Sequence, residues 1–153
     1  MLDIETIAAA IHETWRALSR DEGWSMPPLL DRPYSDLIEA DKDGSRAAAR
    51  RMGDVLAIAG LALSRDPGGL AVTIDILAAS METMAEAEHD GWMTHRAMTG
   101  WSWGETRDDA AKRHPSMVPY AQLPEREKAK DRNNIRHYPS FAARAGYRIV
   151  RAR

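Results

Sequence analysis

Apolar residues recur near the N-terminus at helical spacing: Ile4, Ile7, Ile11, Thr14 and Leu18 share one side of a helix. That stripe predicts a core-facing helix ending near Gly23. A second apolar face, Met52, Val55, Leu56 and Ala59, predicts another helix, for which Gly60 comes too early as a clean end because the apolar residues 61–63 follow. The Ser-Arg-Asp-Pro-Gly-Gly run at residues 64–69 reads as a turn. One long helix is expected over residues 70–98. A further helix should start at Pro124, with Glu125 and Glu127 in its first turn, and kink or restart at Pro139. Gly146 suits the position just past a helix end, and residues 147–151 alternate as a short strand does.

The chain repeats itself. Glu5-Thr6, Ala8, Ala10, His12, Trp15 and Gly23-Trp24-Ser25 recur 77 positions later as Glu82-Thr83, Ala85, Ala87, His89, Trp92 and Gly100-Trp101-Ser102. Pro33-Tyr34, Leu37, Glu39, Lys42, Arg46, Arg50, Ala57 and Ala59-Gly60 recur 86 positions later as Pro119-Tyr120, Leu123, Glu125, Lys128, Arg132, Arg136, Ala143 and Ala145-Gly146. The second copy therefore holds nine more residues, between Trp103 and Pro119, and these should form a loop or short strand excursion. The organisation expected is a degenerate copy one over residues 1–66, a connector over 67–80 and a complete copy two over 81–153.

Copy two carries an ordered series of anchors: Glu88-His89-x-x-Trp92, Gly100-Trp101-Ser102-Trp103-Gly104, Arg107-Asp108-Asp109, Lys112, His114-Pro115, Val118-Pro119-Tyr120, Leu123-Pro124-Glu125, Glu127-Lys128, Asp131-Arg132 and Ala145-Gly146-Tyr147. This series strongly resembles the RyR repeat, the module named for the ryanodine receptors and found also in bacterial and phage proteins. Copy one resembles it weakly, lacking the Arg-Asp-Asp to His-Pro segment. The resemblance implies a mainly α fold with short antiparallel β-strands, and two repeats related by a pseudo-twofold axis in one compact domain. It implies no catalysis. It points instead to a ligand-binding module, because tandem repeats of this kind can hold an adenine nucleotide between the two copies.

Composition narrows the classes. The chain has 153 residues, enough for one shared core and too few for two enzyme-sized domains. With no Cys, disulfide scaffolds, thiolate zinc sites and Cys nucleophiles are excluded. The N-terminal stretch lacks a basic region and carries Asp3, Glu5 and Glu13, so no signal peptide is expected; a cytoplasmic setting is. No apolar run approaches the roughly 20 residues of a membrane span. The net charge of −2 hides an asymmetry: residues 105–153 hold 12 basic and 6 acidic side chains. That excess suits an anionic partner or a solvated helix face.

His89, Trp92 and Arg96 stand at i, i+3 and i+7 on one helix face, and His12, Trp15 and Ser19 are their equivalents in copy one. If the two helices face each other, Trp15 and Trp92 could hold a planar base between them, with Arg96 meeting phosphate and His12 and His89 donating to ribose or phosphate. On the other reading both tryptophans are core anchors and both histidines are satisfied structural groups. Glu88 replaces Ile11 of the copy-one stripe, so that face of copy two either lines a polar cleft or is exposed. Residues 107–114 match no metal-binding spacing, and their Arg and Asp groups are expected to tie a loop together. No phosphate loop and no nucleophile elbow occurs, so neither enzymatic activity, a cofactor nor a metal is expected.

The function expected is recognition of an adenine-containing or cyclic nucleotide-derived signal between the repeats. The chain would act as a sensor or a sequestering protein, in second-messenger signalling or in antiviral defence and counter-defence, possible as a homo-oligomer. The alternative is a protein interaction or assembly module. A third reading, the least favoured, is nucleic-acid binding through the basic C-terminal third, which would show a steep salt dependence.

Overall fold

The computed structural model describes residues 2–153, and it is mainly helical. Helix α1 (Ile4–Glu22) opens on Asp3, whose carboxylate accepts the Thr6 N–H at 3.1 Å, and closes on Gly23 in the left-handed region, φ 69°. After a 3-10 turn at Tyr34–Asp36 come α2 (Glu39–Ile58) and β1 (Leu61–Ser64). Gly60, at φ 72°, does end the helical course, and the apolar residues that follow it are strand rather than helix.

The single helix expected over residues 70–98 is instead two, α3 (Ile74–Ala79) and α4 (Met81–Met98), broken at Ser80. Residues 71–73 stay outside the helix, and the Val72 N–H bonds the Ile149 carbonyl at 2.9 Å. This bond ties the segment to β4, and the helix starts only after its N-cap, Thr73. Strand β2 (Ser102–Trp103), strand β3 (Arg113–His114) and a 3-10 turn at Tyr120–Gln122 lead to α5 (Glu125–Arg136), α6 (Tyr138–Arg144) and β4 (Arg148–Arg151). Pro124 stands at the cap of α5, and the chain restarts as α6 around Pro139 because proline cannot give the N–H a continuing helix needs.

β1 and β4 pair antiparallel, from Leu61 opposite Arg151 to Ser64 opposite Arg148. β2 and β3 pair in parallel, where only antiparallel strands were expected. The cause is the excursion between them: Asp108 and Arg113 exchange backbone hydrogen bonds at 3.0 and 2.9 Å, so the chain loops back and runs alongside β2 in its own direction.

One core joins all six helices with β1 and β4, built on Ile7, Met52, Leu56, Leu61, Leu77, Met84, Ile135, Tyr138 and Phe141. α2 packs on α1 and α4, α1 also meets α6, and α4 also meets α5. In α1 only Ile7 of the expected stripe is fully buried; Ala8, Ala10, His12 and Ser19 are the other sealed residues. Small residues let neighbouring helices approach, which rotates the burial away from the larger aliphatic side chains.

The contacts holding the irregular segments recur at the two sequence offsets. The Tyr34 hydroxyl donates to Glu5 at 2.8 Å and that of Tyr120 to Glu82 at 2.9 Å. Arg46 and Arg132 pair with the same two carboxylates, and Lys42 and Lys128 lie 5.6 and 5.3 Å from the two tyrosine rings. Removing one such hydroxyl should cost about 1 kcal/mol, the usual net worth of a hydrogen bond. Tyr34→Phe and Tyr120→Phe are therefore expected to destabilise equally within a few tenths of a kcal/mol in urea unfolding, and a clearly unequal pair of losses would show that the two contacts do different work.

Candidate functional site

The C-terminal half of α4 gathers aromatic rings and cations. Helical spacing lays His89 on Trp92, with ring centroids 5.5 Å apart and planes at 25°. Arg96 follows one turn later. Gly100, at φ 93°, then folds the chain back so that the Trp101 N–H bonds the Arg96 carbonyl at 2.9 Å and the indole covers the Arg96 side chain. The guanidinium carbon lies 4.5 Å from the Trp101 ring and 5.5 Å from that of Trp92. The following loop adds Arg107, 6.0 Å from Trp101, and His114, edge-on to Trp92 at 4.9 Å.

Charge in this cluster is unevenly matched. Arg107 is held by Asp109 at 2.7 Å, and Lys112 donates to the Thr99 carbonyl. The Arg96 guanidinium has no ion pair and no hydrogen bond among the described residues. Burial, and then the nearby charge of Arg107, lower its pKa from the usual value, while Asp109 and Asp41 of α2 act against that shift. A guanidinium keeps its proton in proteins, so the charge remains, stacked on indole faces and ready for an anion. His114 is driven down to about 4 by burial and by Arg107, Arg96 and Lys130. It is neutral at pH 7 and accepts the Ser116 N–H at Nδ1, 3.0 Å away.

The six residues singled out in the sequence fall into two groups. Trp92, His89 and Arg96 belong to this cluster. Trp15 lies against His12, centroids 5.9 Å apart, and Ser19 is 3% exposed with its hydroxyl unpartnered. Among the described residues no ring contact joins Trp15 to Trp92. His12 and His89 are buried, and each places Nε2 on a main-chain carbonyl, of Arg32 at 2.8 Å and of Val118 at 2.7 Å. These bonds pin the irregular segments and occupy the nitrogen that a ligand would need. The two halves also touch at the first Gly-Trp turn, where Lys130 of α5 lies 5.5 Å from the Trp24 ring.

Glu88 sits at the junction of the halves, 3% exposed, and the polar alternative for its face is the one realised. Its carboxylate takes two bonds from Arg51 of α2, at 3.0 and 2.7 Å, one from Asn134 at 3.1 Å and one from the Tyr138 hydroxyl at 3.0 Å. Gly91 makes room for this arginine, since a Cβ there would stand 2.5 Å from Arg51 Cδ. Sequence spacing brings neither Trp101, Arg107 and His114 to Arg96 nor Arg51 to Glu88. The Gly-Trp pair and the glycine one turn after Glu88 were the signals available.

Among the described residues no group of three His, Asp or Glu side chains converges as a metal site would require. No helix among the described residues is long and apolar enough to cross a membrane. Compared with known families, residues 72–151 match the family model described as RyR domain. The match covers all of α4 and the cluster around Arg96, and it begins inside the segment read from sequence as a connector.

Alanine in place of glycine ordinarily stabilises a helix interior by about 1 kcal/mol. Gly91→Ala is expected to lose stability instead, because Arg51 is fixed at both oxygens of Glu88 and cannot yield freely. Thermal unfolding read by circular dichroism tests this, and a melting point at or above that of the unaltered protein would contradict it.

Proposed function

The chain belongs to the RyR domain family, and from that premise we propose that it is a non-catalytic module recognising an adenine-containing or cyclic nucleotide-derived signal between two repeats, as a sensor or a sequestering protein. The observation that carries this reading is Arg96, a partly buried guanidinium over two indoles with no anionic partner. Indole faces suit a planar base, and an unpaired arginine suits phosphate. The charges of Asp41 and Asp43, at the start of α2, act on Arg96 and its neighbour His95, so the cluster lies where the two halves adjoin. Trp15, His12 and Ser19 would complete the site from the other half, the histidines by setting the indoles.

The two halves are read as copies of one RyR-type repeat, residues 1–66 and 81–153, related by a pseudo-twofold axis. The recurring Tyr-Glu-Arg and His-carbonyl contacts support this. So does the β1–β4 pair, because an offset of 86 carries β1 onto residues 147–150 and a twofold axis sets equivalent strands antiparallel. A protein-interaction module is the second reading, favoured by the exposure of Trp103 (56%) and Met98 (81%) beside the cluster.

Calorimetry against adenosine, AMP, ADP-ribose and cyclic dinucleotides tests the proposal on folded protein. Trp92→Ala should weaken binding by about 1 to 3 kcal/mol. Arg96→Ala should cost about 1.5 to 3 kcal/mol and weaken AMP more than adenosine. Trp15→Ala should lose affinity also if the base lies between the copies. No binding by any of these, or affinity unchanged in both tryptophan variants, would overturn the reading and leave the interaction module in front.

A further inference from the structure

His89 Nδ1 lies 3.6 Å from the Asp131 carboxyl, while His89 Nε2 lies 2.7 Å from the Val118 carbonyl. A carbonyl oxygen only accepts, so Nε2 carries a hydrogen. In a neutral ring Nδ1 is then a lone pair, and an ionised Asp131 would set a second lone pair against it. A proton kept on the Asp131 carboxyl removes the conflict.

The surroundings keep that proton in place. Burial raises Asp131 to about 8, the Glu88 carboxylate and Glu127 of its own helix add to this, and Arg51 and Lys130 oppose it. Arg51 is already committed to both oxygens of Glu88. On α4 the other acidic groups, Glu82, Glu86 and Asp90, are exposed; α6 brings the Tyr138 hydroxyl, which donates to Glu88, and an exposed Arg144; α3 brings only the exposed Asp75. Among the described residues no second cation is free to settle a carboxylate here, and the imidazole that faces Asp131 is the ring that stacks on Trp92.

We propose that Asp131 keeps the proton that turns its contact with His89 from repulsion to attraction and so leaves the imidazole on Trp92, making Asp131 a positioning residue whose hold on the imidazole is lost in alkali. Copy one has no such device, since the offsets put Ser45 at the place of Asp131 and Ile11 at that of Glu88. Because an unfolded Asp ionises near 4, the native form holds an extra proton between about pH 4 and 8. This carboxyl therefore contributes stability that is complete below that window and lost as pH rises through it.

The test needs no ligand, so its failure and that of the proposed nucleotide recognition are separate events. Indole N–H signals of Trp92 and Trp15 are followed by NMR from pH 6 to 10. Trp92 should shift with a midpoint near pH 8 and Trp15 should not. Asp131→Asn should abolish the shift, since an amide keeps its hydrogens throughout, and Glu88→Gln should move the midpoint down. A flat Trp92 signal, an equal shift at Trp15, or an unchanged midpoint in Asp131→Asn would overturn the proposal. Should the variants not fold, the carboxyl carbon of Asp131 in the unaltered protein decides it: titration near pH 8 supports the retained proton, and titration in the ordinary carboxylate range refutes it.

Discussion

The Glu88 carboxylate, sealed from solvent on α4, takes hydrogen bonds from Arg51 of α2, Asn134 of α5 and Tyr138 of α6. A buried charge costs several kcal/mol unless it is paired and its remaining lone pairs are satisfied. Those partners come from three other helices, so the carboxylate is tolerable only when all of them are in register. Much of what surrounds it follows. Gly91 must lack a side chain to admit Arg51, and Asp131, next to a carboxylate already ionised, is left as the group that keeps its proton.

Around that centre the two halves use one set of contacts for different chemistry. A tyrosine hydroxyl on a glutamate, an arginine beside it and a histidine on a main-chain carbonyl recur at constant offsets. What changes is the layer beneath. Where the first half has Ile11, Ala48 and Met52, the offsets place Glu88, Asn134 and Tyr138 in the second. A like change sets Arg96 against Ser19. Polarity is thus concentrated in the second half, along with the excursion that brings Arg107 and His114 to the tryptophans.

The state of Arg96 explains why this neighbourhood stands out from the many ion pairs on the surface. Arg16, Arg46 and Arg132 each meet carboxylates and would gain little from another anion. Arg96 is partly desolvated and lies on indole faces, an arrangement worth about 0.5 to 2 kcal/mol, to which a charge-assisted bond to an anion would add. Cation-aromatic stacking keeps the side chain ordered without using its hydrogen-bond donors.

The sequence by itself determined the local order of the molecule: Gly23 and Gly146 lie just beyond helices, Pro139 separates α5 from α6, and the repeated Trp, His and Gly-Trp positions announced the recurring contacts. These features depend on spacing and on backbone conformations that few residues adopt, and both can be read in one dimension. Tertiary structure decided the rest. The late start of α3 goes with β4 arriving from far along the chain to meet Val72, and the parallel run of β2 and β3 depends on how the excursion closes. The fate of Glu88 depended on a partner 37 positions away, and the placing of Trp101 over Arg96 on a left-handed glycine whose consequence shows only in three dimensions. Long-range pairing is settled by which donors and charges meet in the folded chain, and periodicity along the sequence carries no record of that.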